Sequence, residues 1–240
     1  MIGSRHAAGF AAAALVVTVS AAGCAGGRGA AAPAPPAVTS TSVTAAPATP
    51  AQADSEQAVR AVFAAYKQAL LNRDAPAATA RVSDSTIEYY GSLARLAGTG
   101  GPEEIGARSL VDRLTIALLR TQRSPADFAA VDGRQLFAYA VDAGLVDSST
   151  VADVELGDVR VAGERAFAQA VIRGRSTPFD YEFVRADGRW LFDAVPALQA
   201  GNSALQVVAQ KSGVPEDEFI FRAVESATGQ RVDESIFAKP

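Results

Sequence analysis

The run Phe179-Asp180-Tyr181-Glu182-Phe183-Val184-Arg185-Ala186-Asp187-Gly188-Arg189-Trp190-Leu191-Phe192-Asp193 decides the fold class. Before Asp187-Gly188, Phe179, Tyr181 and Phe183 alternate with Asp180, Glu182 and Val184. After it, Trp190, Phe192 and Ala194 alternate with Leu191, Asp193 and Val195. A period of two puts the aromatic residues on one face of a strand. Asp-Gly suits the positive φ values of a two-residue turn, so two such runs around it predict a β-hairpin. Upstream, Ala166, Ala168, Ala170 and Ile172 share one face of Arg165 to Arg173. Before the turn at Gly163-Glu164, Val154, Leu156, Val159 and Val161 form a strand interrupted at Gly157-Asp158. The whole stretch reads as an antiparallel meander.

Further towards the N-terminus the period is 3.6. Val59, Val62, Phe63, Tyr66, Ala69 and Leu70 recur at helical spacing behind a cap at Asp54 or Ser55, so folding is expected to begin near Asp54. A second helix is predicted from Pro76 to about Leu96, ending at the Gly98 to Gly101 cluster. A third follows Pro102, with Ile105, Leu110, Leu114, Ala117 and Leu118 as its apolar face, and stops before Pro125. Asp127 to Leu145 reads as one or two short helices closed by Gly144. After the meander, a short helix is expected over Ala204 to Lys211. A longer one, Pro215 to Ala227, carries Glu216, Asp217 and Glu218 at its positive N-terminal end and Gly229 past its C-terminus. Ile236 and Phe237 in the tail need a surface to bury against. Helices first and a meander afterwards, with no βαβ alternation, make an α+β domain.

The N-terminus has a different composition. Arg5, the apolar run Ala7 to Ser20 and the small-residue site Ala21-Ala22-Gly23-Cys24 make an export signal with a Cys placed to carry acyl chains. The run is too short for a span of roughly 20 apolar residues. From Ala25 to Ala53 the chain is mostly Ala, Pro, Thr, Ser and Gly and cannot build a core, so it reads as a disordered spacer about 30 Å across. Its Thr39 to Thr44 stretch beside Pro47 and Pro50 resembles a glycosylated stalk. The expected organisation is therefore a signal peptide (1–23), a linker (24–53), an α+β domain (54–195) and a C-terminal helical extension (196–240). The destination is the extracytoplasmic face of a cell membrane, with Cys24 as the lipidation site.

Composition excludes several kinds of chemistry. The chain has one histidine and one cysteine, His6 and Cys24. Cleavage before Cys24 leaves a mature chain without imidazole, and acylation consumes its thiol. That removes Ser-His-Asp, Cys-His and His-based metal sites as well as disulfides. No metal or cofactor is expected. The net charge is −4, one unit more negative once Arg5 is cleaved off, and the arginines are scattered among acids, so no nucleic-acid partner is expected.

The N-terminal helix with Phe63 and Tyr66, the further helices and the paired strands ending in Asp187-Gly188-Arg189-Trp190-Leu191-Phe192-Asp193 resemble the nuclear-transport-factor-2-like superfamily. The likeness is to bacterial lipoproteins of that kind in particular, and the Ala-, Gly-, Val- and Arg-rich composition resembles an actinobacterial source. The resemblance covers about Asp54 to Val195 and implies a curved sheet wrapping helices into a cone around an apolar cavity. The helices after Pro196 depart from the minimal pattern and are expected to cap the cone or form a dimer surface.

Tyr66, Tyr89, Tyr90, Tyr139, Tyr181 and Trp190 are amphipathic side chains of the type that lines pockets. Core packing explains each equally well, and Trp190, at a strand start, reads as core. Ketosteroid-isomerase-like members of the family imply a carboxylate base in an apolar pocket, for which Asp142, Asp180, Glu182 and Asp193 are the candidates. Strand parity turns the last three towards water if the aromatic residues face the core. The reading is a lipid-anchored, non-enzymatic domain that binds a small apolar ligand or acts as an interaction module, as a homodimer or with an envelope protein. The alternative is a histidine-free SnoaL-like or isomerase-like enzyme.

Overall fold

The structure is a computed structural model and describes residues 50–146 and 151–240. The signal peptide, Cys24 and the linker up to residue 49 lie outside the described residues. Four antiparallel strands, β1 (Val154–Ala162), β2 (Arg165–Ile172), β3 (Arg175–Ala186) and β4 (Arg189–Asp193), form one open sheet in the order β1-β2-β3-β4. The architecture is α+β, as the change of period predicts. At the β3–β4 turn Asp187 and Gly188 have φ of 49° and 74°, so the Asp-Gly pair supplies the two left-handed residues that a tight hairpin needs. The interruption at Gly157-Asp158 is a shift in register between Leu156 and Val159. β3 starts four residues earlier than the aromatic alternation indicates, because Ser176 and Arg175 pair with Val171 and Ile172 beyond a second register shift.

The helices differ from expectation mainly at their ends. α1 (Pro50–Leu71) begins upstream of Asp54. Pro at a first turn costs no hydrogen bond, and Ala51 and Ala53 favour helix more strongly than Asp54 favours a stop. The single helix expected from Pro76 is two, α2 (Ala75–Thr79) and α3 (Asp84–Thr99). Between them Val82 makes a parallel bridge to Phe192, and Ser83 caps α3 by accepting from the Thr86 amide. Similarly, Pro102 opens only the short α4 (Pro102–Gly106), and Ser109 caps α5 (Leu110–Gln122). In both places a serine N-cap outweighs continued apolar periodicity. α6 (Gly133–Asp142) follows a capping box between Asp132 and Gln135. α7 (Val195–Ser212) is much longer than the short helix expected there, since Pro196 sits in its first turn, where proline is tolerated. α8 (Glu216–Thr228) ends at Gly229.

Two apolar clusters hold these elements. The first joins the aromatic face of the sheet to α1, through Phe63, Tyr66, Phe183, Trp190 and Phe192. The second joins α3, α4 and α5 to the C-terminal helices through Leu93, Leu96, Ile116, Leu205, Ile220 and Phe237. Residues 196–240 therefore share a core with the central helices. Arg120, on the buried stripe of α5, ties the tail to that core. Its guanidinium donates to the carbonyls of Leu96, Ala97 and Gly100 at the end of α3, and to those of Ile236 and Ala238. No helix among the described residues is long and apolar enough to cross a membrane.

Candidate functional site

The two clusters do not close against one another. A cavity of about 960 Å³ lies where they meet, with walls drawn from both. This is at the upper end of the roughly 300 to 1,000 Å³ typical of small-molecule sites. The sheet end is aromatic and is made by Phe63 and Tyr66 of α1, Tyr90 of α3, Tyr181 of β3 and Phe192 of β4. These rings are fixed by one another. Phe63 lies 5.4 Å from Tyr181 and 5.8 Å from Phe192, and Tyr66 lies 5.0 Å from Phe192. Tyr90 meets Phe137 edge-on at 5.0 Å. Such tilted and edge-on contacts add to the burial of the rings.

The opposite wall is helical. Leu114 and Leu118 of α5, Leu198 and Leu205 of α7, and Ala223 and Ala227 of α8 supply apolar surface. Gln122, Tyr139, Ser226, Thr228 and Gln230 form a polar rim, of which Gln122, Ser226 and Gln230 are exposed and so mark where the cavity opens. None of the described residues that line it is charged.

The polar groups of the two ends differ in how they are satisfied. At the rim, the Tyr139 hydroxyl donates to Gln122 Oε1 at 2.6 Å. Thr115, Thr121 and Thr228 donate to carbonyls of their own helices. At the aromatic end Tyr66, Tyr90 and Tyr181 line the cavity, and their hydroxyls have no hydrogen-bond partner among the described residues. Burial pushes the Tyr66 phenol well above its usual range, and its neighbours Tyr90 and Tyr181 push the same way. Burial raises Tyr90 to about 12 and raises Tyr181 as well. All three are protonated, and therefore hydrogen-bond donors, at any physiological pH.

Of the six aromatic residues singled out in the sequence, Tyr66, Tyr90, Tyr139 and Tyr181 line the cavity, whereas Tyr89 and Trp190 do not. Trp190 is buried in the first cluster. Tyr89 turns aside and donates to Asp112 Oδ1 at 2.5 Å, and Arg108 holds the other carboxylate oxygen at 2.9 Å. The candidate carboxylates are all outside the cavity wall. Asp142 is exposed, Asp180 pairs with Arg160 at 2.6 Å, and Glu182 faces Arg165 at 3.8 Å.

Asp193 corrects the parity expectation, because it is buried, with 6 % exposure, although it lies on the face opposite Phe192. The start of α3 covers that face. Asp193 Oδ1 accepts from the Val195 amide at 3.2 Å and from Thr86 Oγ1 at 3.4 Å, and Thr86 Oγ1 in turn accepts from the Ala194 amide. Period-two alternation assumes one wet face, and here the Asp193 end of the second face of β4 is packed as well, although Arg189 at its other end is exposed.

Sequence reasoning missed the helical wall, including Leu114, Ala223 and Ala227, since an apolar stripe looks the same against a core as against a cavity. It also missed Arg120 and Asp112. Their signal was register: Arg120 follows Ile116, Ala117 and Leu119 on one stripe, and Asp112 stands three residues after the Ser109 cap.

Among the described residues no group of three or more His, Cys, Asp or Glu side chains is placed to hold a metal ion. Compared with protein-family models, with curated proteins and with solved structures, the chain matches none.

Proposed function

We propose that this chain is a lipid-anchored, extracytoplasmic domain of the nuclear-transport-factor-2-like type that holds a small apolar molecule in the cavity between its sheet and its helices. The cavity carries the reading: about 960 Å³, walled by aromatic and aliphatic side chains, with a polar rim and, among the described residues, no carboxylate in its wall. A wall without a titratable base supports binding better than turnover. Ala21-Ala22-Gly23-Cys24 supports the anchor, and the Asp187-Gly188-Arg189-Trp190 hairpin supports the family.

The test uses Cys24→Ala protein, which should leave the membrane fraction and fold normally. Nile red titrated into it should show a saturable, blue-shifted emission at one dye per chain. Ala223→Trp, which places an indole in the helical wall, should abolish that signal while the far-UV circular dichroism is unchanged. Dye binding absent from the parent protein, or undiminished in Ala223→Trp, would overturn the binding reading. Membrane partitioning unchanged by Cys24→Ala would overturn the anchor alone.

A further inference from the structure

The chemistry of the cavity restricts its occupant further than its size does. Among the described residues its wall contains no Asp, Glu, Lys or Arg, so an ionic ligand would lose its hydration without gaining a counter-charge from them. The rim opposes anions in particular. Gln122 and Thr228 are the last residues of α5 and α8, and helix C-termini present carbonyl groups and partial negative charge. Arg123 sits over the Tyr139 ring at 4.3 Å, outside the wall.

At the other end Tyr66, Tyr90 and Tyr181 line the cavity and their hydroxyls have no acceptor among the described residues, whereas the hydroxyls of Tyr139, Thr115 and Thr228 bond to their own chain. Buried donors of this kind favour a ligand that completes their hydrogen bonds. The phenols stay protonated because burial disfavours phenolate, so they offer protons and carry no charge.

Resting on the binding reading above, we infer that the ligand is an uncharged apolar molecule bearing a carbonyl or ether-type oxygen, which enters with that oxygen towards Tyr66, Tyr90 and Tyr181 and leaves its hydrocarbon against the helical wall. The tyrosines thus select for a neutral oxygen acceptor and orient it.

Four probes of equal chain length test this: decane, 2-decanone, decanoate at pH 8 and decyltrimethylammonium, each measured by competition against Nile red on the Cys24→Ala protein. The triple variant Tyr66→Phe, Tyr90→Phe, Tyr181→Phe keeps every ring and removes only hydroxyls that bond to no described residue. It should bind 2-decanone about tenfold more weakly and decane as tightly as the parent does. The infrared carbonyl band of bound 2-decanone should lie at lower wavenumber in the parent than in the triple variant. Decanoate and decyltrimethylammonium should bind the parent at least tenfold more weakly than 2-decanone.

An equal loss of decane and 2-decanone in the triple variant, an unshifted carbonyl band, or tighter binding of either ion would overturn the inference while leaving the cavity as a ligand site. If none of the four displaced the dye, the inference would fall even with dye binding intact. If the triple variant loses its fold by circular dichroism, the single variant Tyr181→Phe, at the half-buried position, carries the same comparison.

Discussion

Replacing Arg120 by Met should be among the most damaging single changes in the helical half of this protein, and the size of the effect follows from five carbonyl groups. Leu96 O keeps a second partner, the Gly100 amide at 3.0 Å, and the Ile236 and Ala238 carbonyls lie in the terminal tail, where water can reach them. Ala97 O and Gly100 O are different, because they sit at the buried end of α3 and have no other partner among the described residues. Each buried, unsatisfied carbonyl costs about 1 to 3 kcal/mol. Removing the guanidinium also removes the cost of keeping a cation out of water, which offsets part of the loss. The expected net is about 3 kcal/mol, with Arg120→Lys losing roughly half as much, since an ammonium keeps the charge but reaches fewer carbonyls. Urea unfolding at constant m-value measures it. Deleting residues 234–240, which removes two of the acceptors and the Phe237 contact, should be non-additive with Arg120→Met. A loss below about 1 kcal/mol, or full additivity with the deletion, would refute the idea that Arg120 fastens the tail to α3.

Thr86→Val keeps the shape of the side chain and removes the hydroxyl between the Ala194 amide and Asp193; it should cost about 1 to 3 kcal/mol without changing dye binding, and a stability change under about 0.5 kcal/mol would show that water replaces the hydroxyl. Alkaline pH should unfold the protein through its tyrosines. A phenol with a higher pKa folded than unfolded keeps its proton after the unfolded chain has lost it, so above pH 10 stability falls as pH rises. Tyr90, at about 12 when folded, alone contributes a loss of up to about 2.7 kcal/mol between pH 10 and 12. Absorbance near 295 nm should therefore rise together with the loss of circular dichroism, and reversible ionisation of all five tyrosines in still-folded protein would refute it.

Much of the fold was legible in the sequence because its strongest signals are local. Asp187-Gly188 supplies its own turn geometry, and the alternation of Phe179, Tyr181 and Phe183 sets the face of β3 without reference to anything distant. What was not legible depends on partners remote in sequence. One helix stops at Thr79 and Ser83 starts another because Val82 between them must reach Phe192, more than a hundred residues away. Asp193 is buried because the start of α3 packs on the outer face of β4. Tyr89 and Tyr90 are adjacent and chemically identical in sequence, yet the helix turns one towards Asp112 and the other towards the cavity. Residue type could not separate them, because which side of α3 meets the cavity depends on where α5 and the sheet pack.

The size of the cavity bears on what it does. Leu→Ala cavities cost about 24 cal/mol per Å³, so a sealed, dry apolar volume of about 960 Å³ would cost roughly 20 kcal/mol. That exceeds the 5 to 15 kcal/mol net stability of an ordinary domain. A hollow of this size is therefore compatible with a stable fold only if it exchanges with solvent or ligand, and the exposed rim residues Gln122, Ser226 and Gln230 provide the opening. Its small wall residues point the same way. Ala197, Gly201, Ala223 and Ala227 occupy positions on α7 and α8 where larger aliphatic side chains would fill the space. An apolar wall in contact with water releases that water when an apolar ligand enters, so occupancy and stability are coupled. A ligand at a hundred times its Kd should add about 2.7 kcal/mol, and the gain should vanish with Ala223→Trp, whose indole occupies the same volume permanently.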